Sequence, residues 1–256
     1  MLNKAKTLKG YKLNSLDGEI GKVKDFYFDD QHWTVRYLVA ETGTWLAERQ
    51  VLISPYALGP VDRADQDIVV DLTKKQIEDS PSLDSEKPVS RQFEESFHGY
   101  YDIPVYWAGP NSWGYYPYIE RDRGQWKTPT KTEKAWDPHL RSTQAVSGYN
   151  IFATDGEIGH IEDFIIDDRT WTIRYLIVNT SNWWAGKKIL MSPQWIDRVS
   201  WDEKAVFINV SCEAIKQSPE YTNESQVNRD YEIGLHGHYN RKGYWVDELA
   251  GKELAY

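Results

Sequence analysis

Side chains able to do chemistry recur in pairs along this sequence. Asp29-Asp30 returns as Asp167-Asp168, and Arg36 returns as Arg174. Carboxylates suit hard cations, but a calcium site needs roughly six to eight oxygen ligands. The aspartate spacing does not match an EF-hand loop, and aspartate also favours turns between strands. These residues are therefore read as turn residues, and no metal site is assigned. Each arginine lies in the middle of a strand-like run, with Asp25 or Asp163 on the run before it. An arginine fork can grip a carboxylate through two parallel hydrogen bonds. Asp25–Arg36 and Asp163–Arg174 are the expected structural ion pairs, each holding a hairpin in register.

The other reactive residues form weaker patterns. Of the six histidines, only His236-Gly237-His238 makes a close pair. On a strand that spacing would put both imidazoles on one side, and zinc would need further ligands. His98-Gly99-Tyr100 breaks the same pattern, so a solvated pair in the tail is expected. Ser54 and Ser192 are each followed by proline, with no nucleophile elbow around them. Phosphate-binding glycine loops are absent from the sequence. The single cysteine, Cys212, excludes an intrachain disulfide framework. It stands beside Glu213, where a thiolate gains no positive neighbour, so an inert thiol is expected. Trp45, Trp183 and Trp184 fall in loops, where a large exposed ring is costly unless it packs or binds something. They are the candidate partner-binding residues. No catalytic residue and no cofactor is assigned, and no enzymatic activity is expected.

These residues are positioned by an internal repeat. At a spacing of 138 residues, Asp17-Gly18-Glu19-Ile20-Gly21 recurs as Asp155-Gly156-Glu157-Ile158-Gly159. Trp33-Thr34-Val35-Arg36-Tyr37-Leu38 recurs as Trp171-Thr172-Ile173-Arg174-Tyr175-Leu176. The alignment runs without a gap from Gly10 to Pro81. Beyond it, His98-Gly99 still matches His236-Gly237, and Tyr106-Trp107 matches Tyr244-Trp245. A period this long marks a duplicated domain, not a solenoid.

Within one copy, Gly10–Leu16 and Glu19–Phe28 read as strands joined by an Asp-Gly turn. Val23 and Phe26 break the alternation, which a bulge near Gly21 or Asp25 would reconcile. Trp33–Ala40 is the clearest strand, with Trp33, Val35, Tyr37 and Val39 on one face. Gln50–Ile53 and Ile68–Leu72 follow, with Lys188–Met191 and Val206–Val210 as their counterparts. Thr73-Lys74-Lys75-Gln76 matches a capping box, so a short helix closes the copy. The predicted fold is mainly β, with two homologous small β-barrels in tandem. The first barrel spans 1–82 and the second 141–220. An irregular aromatic Gly/Pro-containing linker fills 83–140, and a tail fills 221–256.

Taken together, Gly10-Tyr11, Asp17 to Gly21, Asp25-Phe26, Asp29-Asp30 and Trp33 to Leu38 resemble the PRC-barrel domain. Gly148-Tyr149 through Arg174-Tyr175-Leu176 to Ser192-Pro193 carries the same resemblance. That family takes its name from the cytoplasmic domain of the photosynthetic reaction-centre H subunit. It also includes the C-terminal domain of a ribosome maturation factor. The resemblance implies a compact, mostly β barrel that acts through protein contacts, and it implies no catalytic residues.

The expected function is thus that of a non-enzymatic, soluble protein-interaction or assembly module with an unidentified protein partner. A homodimer or an intramolecular pseudo-dimer is the expected pairing. The alternative is a small-ligand or metal-binding protein using an inter-barrel cleft, with Asp163, Asp167 and His160 as lining residues. A photosynthetic electron-transfer accessory or a ribosome and RNA-processing factor ranks below these. The formal net charge of -9 and the lack of a Lys/Arg run argue against nucleic acid. No apolar run is long enough for a membrane helix, and no apolar run follows the first basic residues. A cytoplasmic location is expected.

Overall fold

Asp17-Gly18 and Asp155-Gly156 reverse the chain in both copies, and the strands are laid out from these turns. The computed structural model describes residues 1–81, 89, 91–107, 140–180, 186–222 and 227–246. In chain order the first copy contains β1 (Leu2–Lys4), α1 (Ala5–Leu8), β2 (Lys12–Ser15), β3 (Gly18–Asp29) and β4 (Thr34–Glu41). It continues with β5 (Gln50–Ile53), β6 (Leu58–Asp62), β7 (Asp67–Val70), α2 (Lys74–Glu78) and α3 (Arg91–Tyr101). The second copy repeats this order as β8 (Leu140–Ser142), α4 (Thr143–Val146), β9 (Asn150–Ala153), β10 (Gly156–Asp167) and β11 (Thr172–Asn179). Then come β12 (Lys188–Met191), β13 (Ile196–Ser200), β14 (Ala205–Ile208), α5 (Cys212–Lys216) and α6 (Arg229–His238).

Local chemistry explains the turns and the bulges. Ser15 pairs with Gly18 across a two-residue turn, and β3 shifts register against β2 at Leu13/Asn14 and against β4 at Val23/Asp25. The broken alternation of Val23 and Phe26 had required such a bulge. Gly21 (φ +136°) and Gly159 (φ +139°) occupy a backbone region that side chains rarely adopt. A Cβ at either would lie 2.0 Å from a backbone oxygen, of Glu41 or of Asn179. Close approach of the next strand therefore accounts for glycine at both positions. Asp17 accepts a hydrogen bond from the Lys74 N–H (2.8 Å), and Asp155 accepts one from the Cys212 N–H (2.7 Å). Each turn aspartate thus satisfies a backbone donor that the start of a helix leaves without an intrahelical partner. Thr73 and Gln76 form the expected capping box of α2.

The chain divides into two compact units. The first holds Met1, Thr7–Ser142 and Asp168–Thr172, and the second holds Leu2–Lys6, Thr143–Asp167 and Ile173–Tyr256. Their membership crosses the repeat. In the first unit, β8 lies antiparallel on β3, with Leu140 opposite Asp29 and Ser142 opposite Tyr27. In the second, β1 lies antiparallel on β10, with Leu2 opposite Asp167 and Lys4 opposite Ile165. These registers coincide when one copy is shifted onto the other.

In the first unit β4 is buried on both faces, Glu41 alone being exposed. Tyr37, Val39 and Leu52 pack under Val89 and Phe97, with Phe93, Tyr101 and Ile103 against the cluster. Fully burying a side chain such as Phe97 is worth about 2–3 kcal/mol. The stretch read as an irregular linker from residue 83 therefore contains a regular helix, α3. Likewise the stretch read as a tail from residue 221 contains α6.

Candidate functional site

Helix α6 presents Glu232 and His236, four residues apart, to Tyr175 of β11 in the second unit. Such spacing puts two side chains on one face of a helix. Tyr175 Oη donates to Glu232 Oε1 at 2.9 Å and lies 3.1 Å from His236 Nε2. Tyr244 Oη donates to the same Glu232 oxygen at 2.8 Å, and Arg229 Nη1 lies 3.1 Å from Oε2. His236 Nδ1 lies 2.9 Å from the Lys242 carbonyl. A carbonyl only accepts, so Nδ1 carries the hydrogen, and Nε2 of the neutral ring competes with Glu232 as acceptor for the single Tyr175 hydroxyl proton. The imidazole stands edge-on between Trp195 (5.2 Å) and Trp245 (5.1 Å).

The first unit builds the same cluster from α3 and β4. Tyr37 Oη donates to Glu94 Oε1 at 3.1 Å and lies 2.9 Å from His98 Nε2. Tyr106 Oη donates to that Glu94 oxygen at 2.6 Å. The His98 ring meets Trp107 at 5.3 Å.

Burial sets the protonation states. It raises Tyr37 well above the ordinary phenol range, and the charge of Glu94 adds to the effect. Burial and then Glu232 raise Tyr175 and Tyr244 in the same way. These hydroxyls stay protonated and act as donors. Burial also pushes His236 below its usual value, and Arg229 acts in the same direction. The result is a buried carboxylate held by two phenols, with a neutral imidazole beside it. Its chemistry is that of a clamp between a helix and a strand.

Beside each clamp lies an arginine. Arg36 Nε donates to Asp29 Oδ2 at 2.6 Å, and its guanidinium covers the Tyr106 ring at 4.2 Å. Arg174 Nη2 donates to Asp167 Oδ2 at 3.3 Å and covers the Tyr244 ring at 4.0 Å. The expected pairing with Asp25 and Asp163 is thus corrected, because the carboxylates held are Asp29 and Asp167. The register gives the reason. Asp25 stands opposite Val39, three positions beyond Arg36, or about 10 Å along the strand. Asp29 instead opens the turn that leads into β4. Burial works against its charge, but His32 and Arg36 outweigh burial and hold Asp29 below the usual carboxylate value. Asp25 receives Lys9 Nζ at 2.8 Å and the Ser142 hydroxyl. Asp163 accepts from the backbone N–H groups of Lys6 (3.2 Å) and Phe164 (2.8 Å), and burial raises it.

The remaining sequence candidates separate. Trp45 is half-buried and donates its indole N–H to the Ile20 carbonyl at 2.7 Å, with Lys74 Nζ 5.7 Å from its ring. Trp183 and Trp184 lie outside the described residues. Asp30 pairs with Arg141 at 3.0 Å, so the neighbouring aspartates of the first turn serve different cations. Ser54 and Ser192 cap 3-10 turns, accepting from Tyr56 N–H and Gln194 N–H. Cys212 is raised to about 11, by burial first and then by Asp155, as an inert thiol requires. His236 is buried, which overturns the expected solvated pair in the tail, and both histidines lie on helix α6. Among the described residues no group of three or more His, Cys, Asp or Glu could hold a metal ion. No described helix is long and apolar enough to cross a membrane.

Sequence reasoning missed Tyr37, Glu94, Tyr175 and Glu232. The signal was available, because the 138-residue spacing also relates Arg91 to Arg229 and Glu94 to Glu232.

A comparison with curated proteins finds none that matches the chain. The family model described as PRC-barrel domain matches twice, over residues 3–77 and 144–214, which together exceed half the chain. With two matched regions and a strand-dominated fold in each unit, this chain belongs to the PRC-barrel family.

Proposed function

We propose that this tandem PRC-barrel protein is a non-enzymatic binding and assembly module. One observation carries the reading. The side chains best suited to chemistry are used twice, in the same way, to fasten a helix to a strand. A reacting group needs access to substrate, yet Glu94 and Glu232 are 0% and 3% exposed. Their retention in both copies serves the fold, and binding is left to the surfaces.

Trp183 and Trp184 are the tryptophan anchors of this reading, with Trp45 in a supporting role because its indole N–H is already engaged. The test is quantitative affinity capture by the full-length protein from its native lysate. The wild type is compared with W45A, W183A and W184A combined. A stoichiometric partner whose recovery falls in the triple variant supports the reading. Absence of any partner above background refutes it.

A further inference from the structure

The last carbonyls of a helix lack an intrahelical donor, and a lysine or arginine often bonds them. Lys187 Nζ donates to the Lys216 carbonyl at the end of α5 (2.6 Å) and to the Ser218 carbonyl just beyond it (2.8 Å). In the first copy Arg49, 138 residues earlier, donates to the corresponding carbonyls of Glu78 and Ser80. The two copies thus share the contact but not the residue that makes it. An arginine keeps its charge, whereas a lysine can lose a proton and become a nucleophile.

An ammonium has three hydrogens to donate, and the two carbonyls take two of them. A neutral amine makes the same two bonds and keeps a lone pair for attack. Among the described residues no carboxylate forms an ion pair with Lys187, in contrast to Lys9, Lys24, Lys75 and Lys188, which each face one. Losing the proton therefore breaks no ion pair. Burial lowers Lys187 below its ordinary value, and the charge of Glu220 acts in the other direction. The side chain is half-buried, and its bond to Lys216 is exposed to solvent.

We propose that Lys187 is an acylation site that takes the acyl group of a thioester and thereby loosens the end of α5. The neutral Nζ attacks the thioester carbonyl. A C–N bond forms, the C–S bond breaks, and the departing thiolate takes up the proton that Nζ gives up. The amide product has lost the charge and keeps a single N–H. It serves one of the two carbonyls and leaves the other without its donor. The Ala214 carbonyl of the same helix lies 2.7 Å from His238 Nε2 on α6, so the change is passed to a second helix.

The test treats the full-length protein with the acetyl thioester of N-acetylcysteamine, a small uncharged donor, and follows each lysine by peptide mass spectrometry. Lys187 is expected to be acetylated at least threefold faster than its neighbour Lys188, which faces Glu162 at 2.6 Å. Hydrogen exchange over Cys212–Lys216 should then rise at least threefold in the acetylated protein. K187R installs the residue of the first copy, which makes the same bonds there. It should take no acetyl group at that position and should keep α5 exchange at the wild-type rate after the same treatment. Lys187 reacting no faster than Lys188 would overturn the assignment. So would α5 exchange that stays unchanged once Lys187 is acetylated. An equal rise in treated K187R would overturn it too, because the effect would then come from other lysines. None of these outcomes bears on the tryptophan-anchored capture, which tests the binding reading on its own.

Discussion

Removing the carboxylate of Glu232 should release helix α6 without dissolving the barrel beneath it. In E232A, the hydroxyls of Tyr175 and Tyr244 lose an acceptor at 2.9 and 2.8 Å, and Arg229 loses its carboxylate at 3.1 Å. Arg229 is half exposed, so its share is small. The two phenols are buried, and each donor left without its acceptor costs about 1–3 kcal/mol, so the pair is expected to cost about 3–5 kcal/mol. At about 1.4 kcal/mol per factor of ten, amides of α6 should exchange roughly a hundred to several thousand times faster. Hydrogen exchange read by mass spectrometry over Arg229–His238 measures this directly. E232Q keeps an acceptor oxygen and should show a smaller effect, near tenfold. E94A should act in the same way on α3. If α6 in E232A exchanges within threefold of wild type, the clamp is not what holds this helix.

Further substitutions probe other parts of the argument. Gly21→Ala should cost more than about 3 kcal/mol by urea denaturation, since backbone strain of about 1–3 kcal/mol is joined by the 2.0 Å approach to Glu41 O. Gly10→Ala, at φ +89° with nothing within 4 Å, should cost only about 1–2 kcal/mol; equal losses would discredit the steric account. Asp29 lies below its unfolded value of 3.8, so its stabilisation is present above that pH and fades as pH falls through the folded value. Asp163 is raised above 3.8, so its contribution is favourable in acid and is lost as pH rises through that range. At pH 7, D29N should therefore lower Tm and D163N should raise it, and a shared sign in thermal melts would contradict the assignment. Trp45→Phe keeps the ring and removes the bond to Ile20 O, for an expected loss of about 0.5–1.5 kcal/mol in the same denaturation assay.

Strands were legible wherever one face alternates or a turn residue is unambiguous. Gln50–Ile53 and Lys188–Met191 needed only their apolar runs, and the capping box at Thr73 announced α2. Helices α3 and α6 were illegible for a physical reason. Their buried faces carry Glu94, His98, Glu232 and His236, so polar residues occupy positions where a periodicity search expects apolar ones. The partner of Arg36 was misassigned because register cannot be read from residue types: pairing from Asp29 opposite Thr34 already puts position 25 two residues past Arg36, and the register shift at Tyr27/Phe28, where Arg36 is the extra residue of β4, moves Asp25 on to Val39. Strands β1 and β8 are three residues each, too short for any pattern, and only their tertiary partners define them.

The crossing of β1 and β8 between the repeat's compact units has a consequence for synthesis. A chain leaving the ribosome makes β3 early, but the strand that covers its edge ends at Ser142. Until then β3 offers free N–H and C=O groups to any other strand nearby. The first strand made, Leu2–Lys4, waits longer still, because its place is on Ile165–Asp167. Neither half is finished when its own repeat has been translated. Polysomes crowded with nascent copies thus hold two reciprocal sets of unpaired edges, and intermolecular mispairing during translation is the hazard this topology carries.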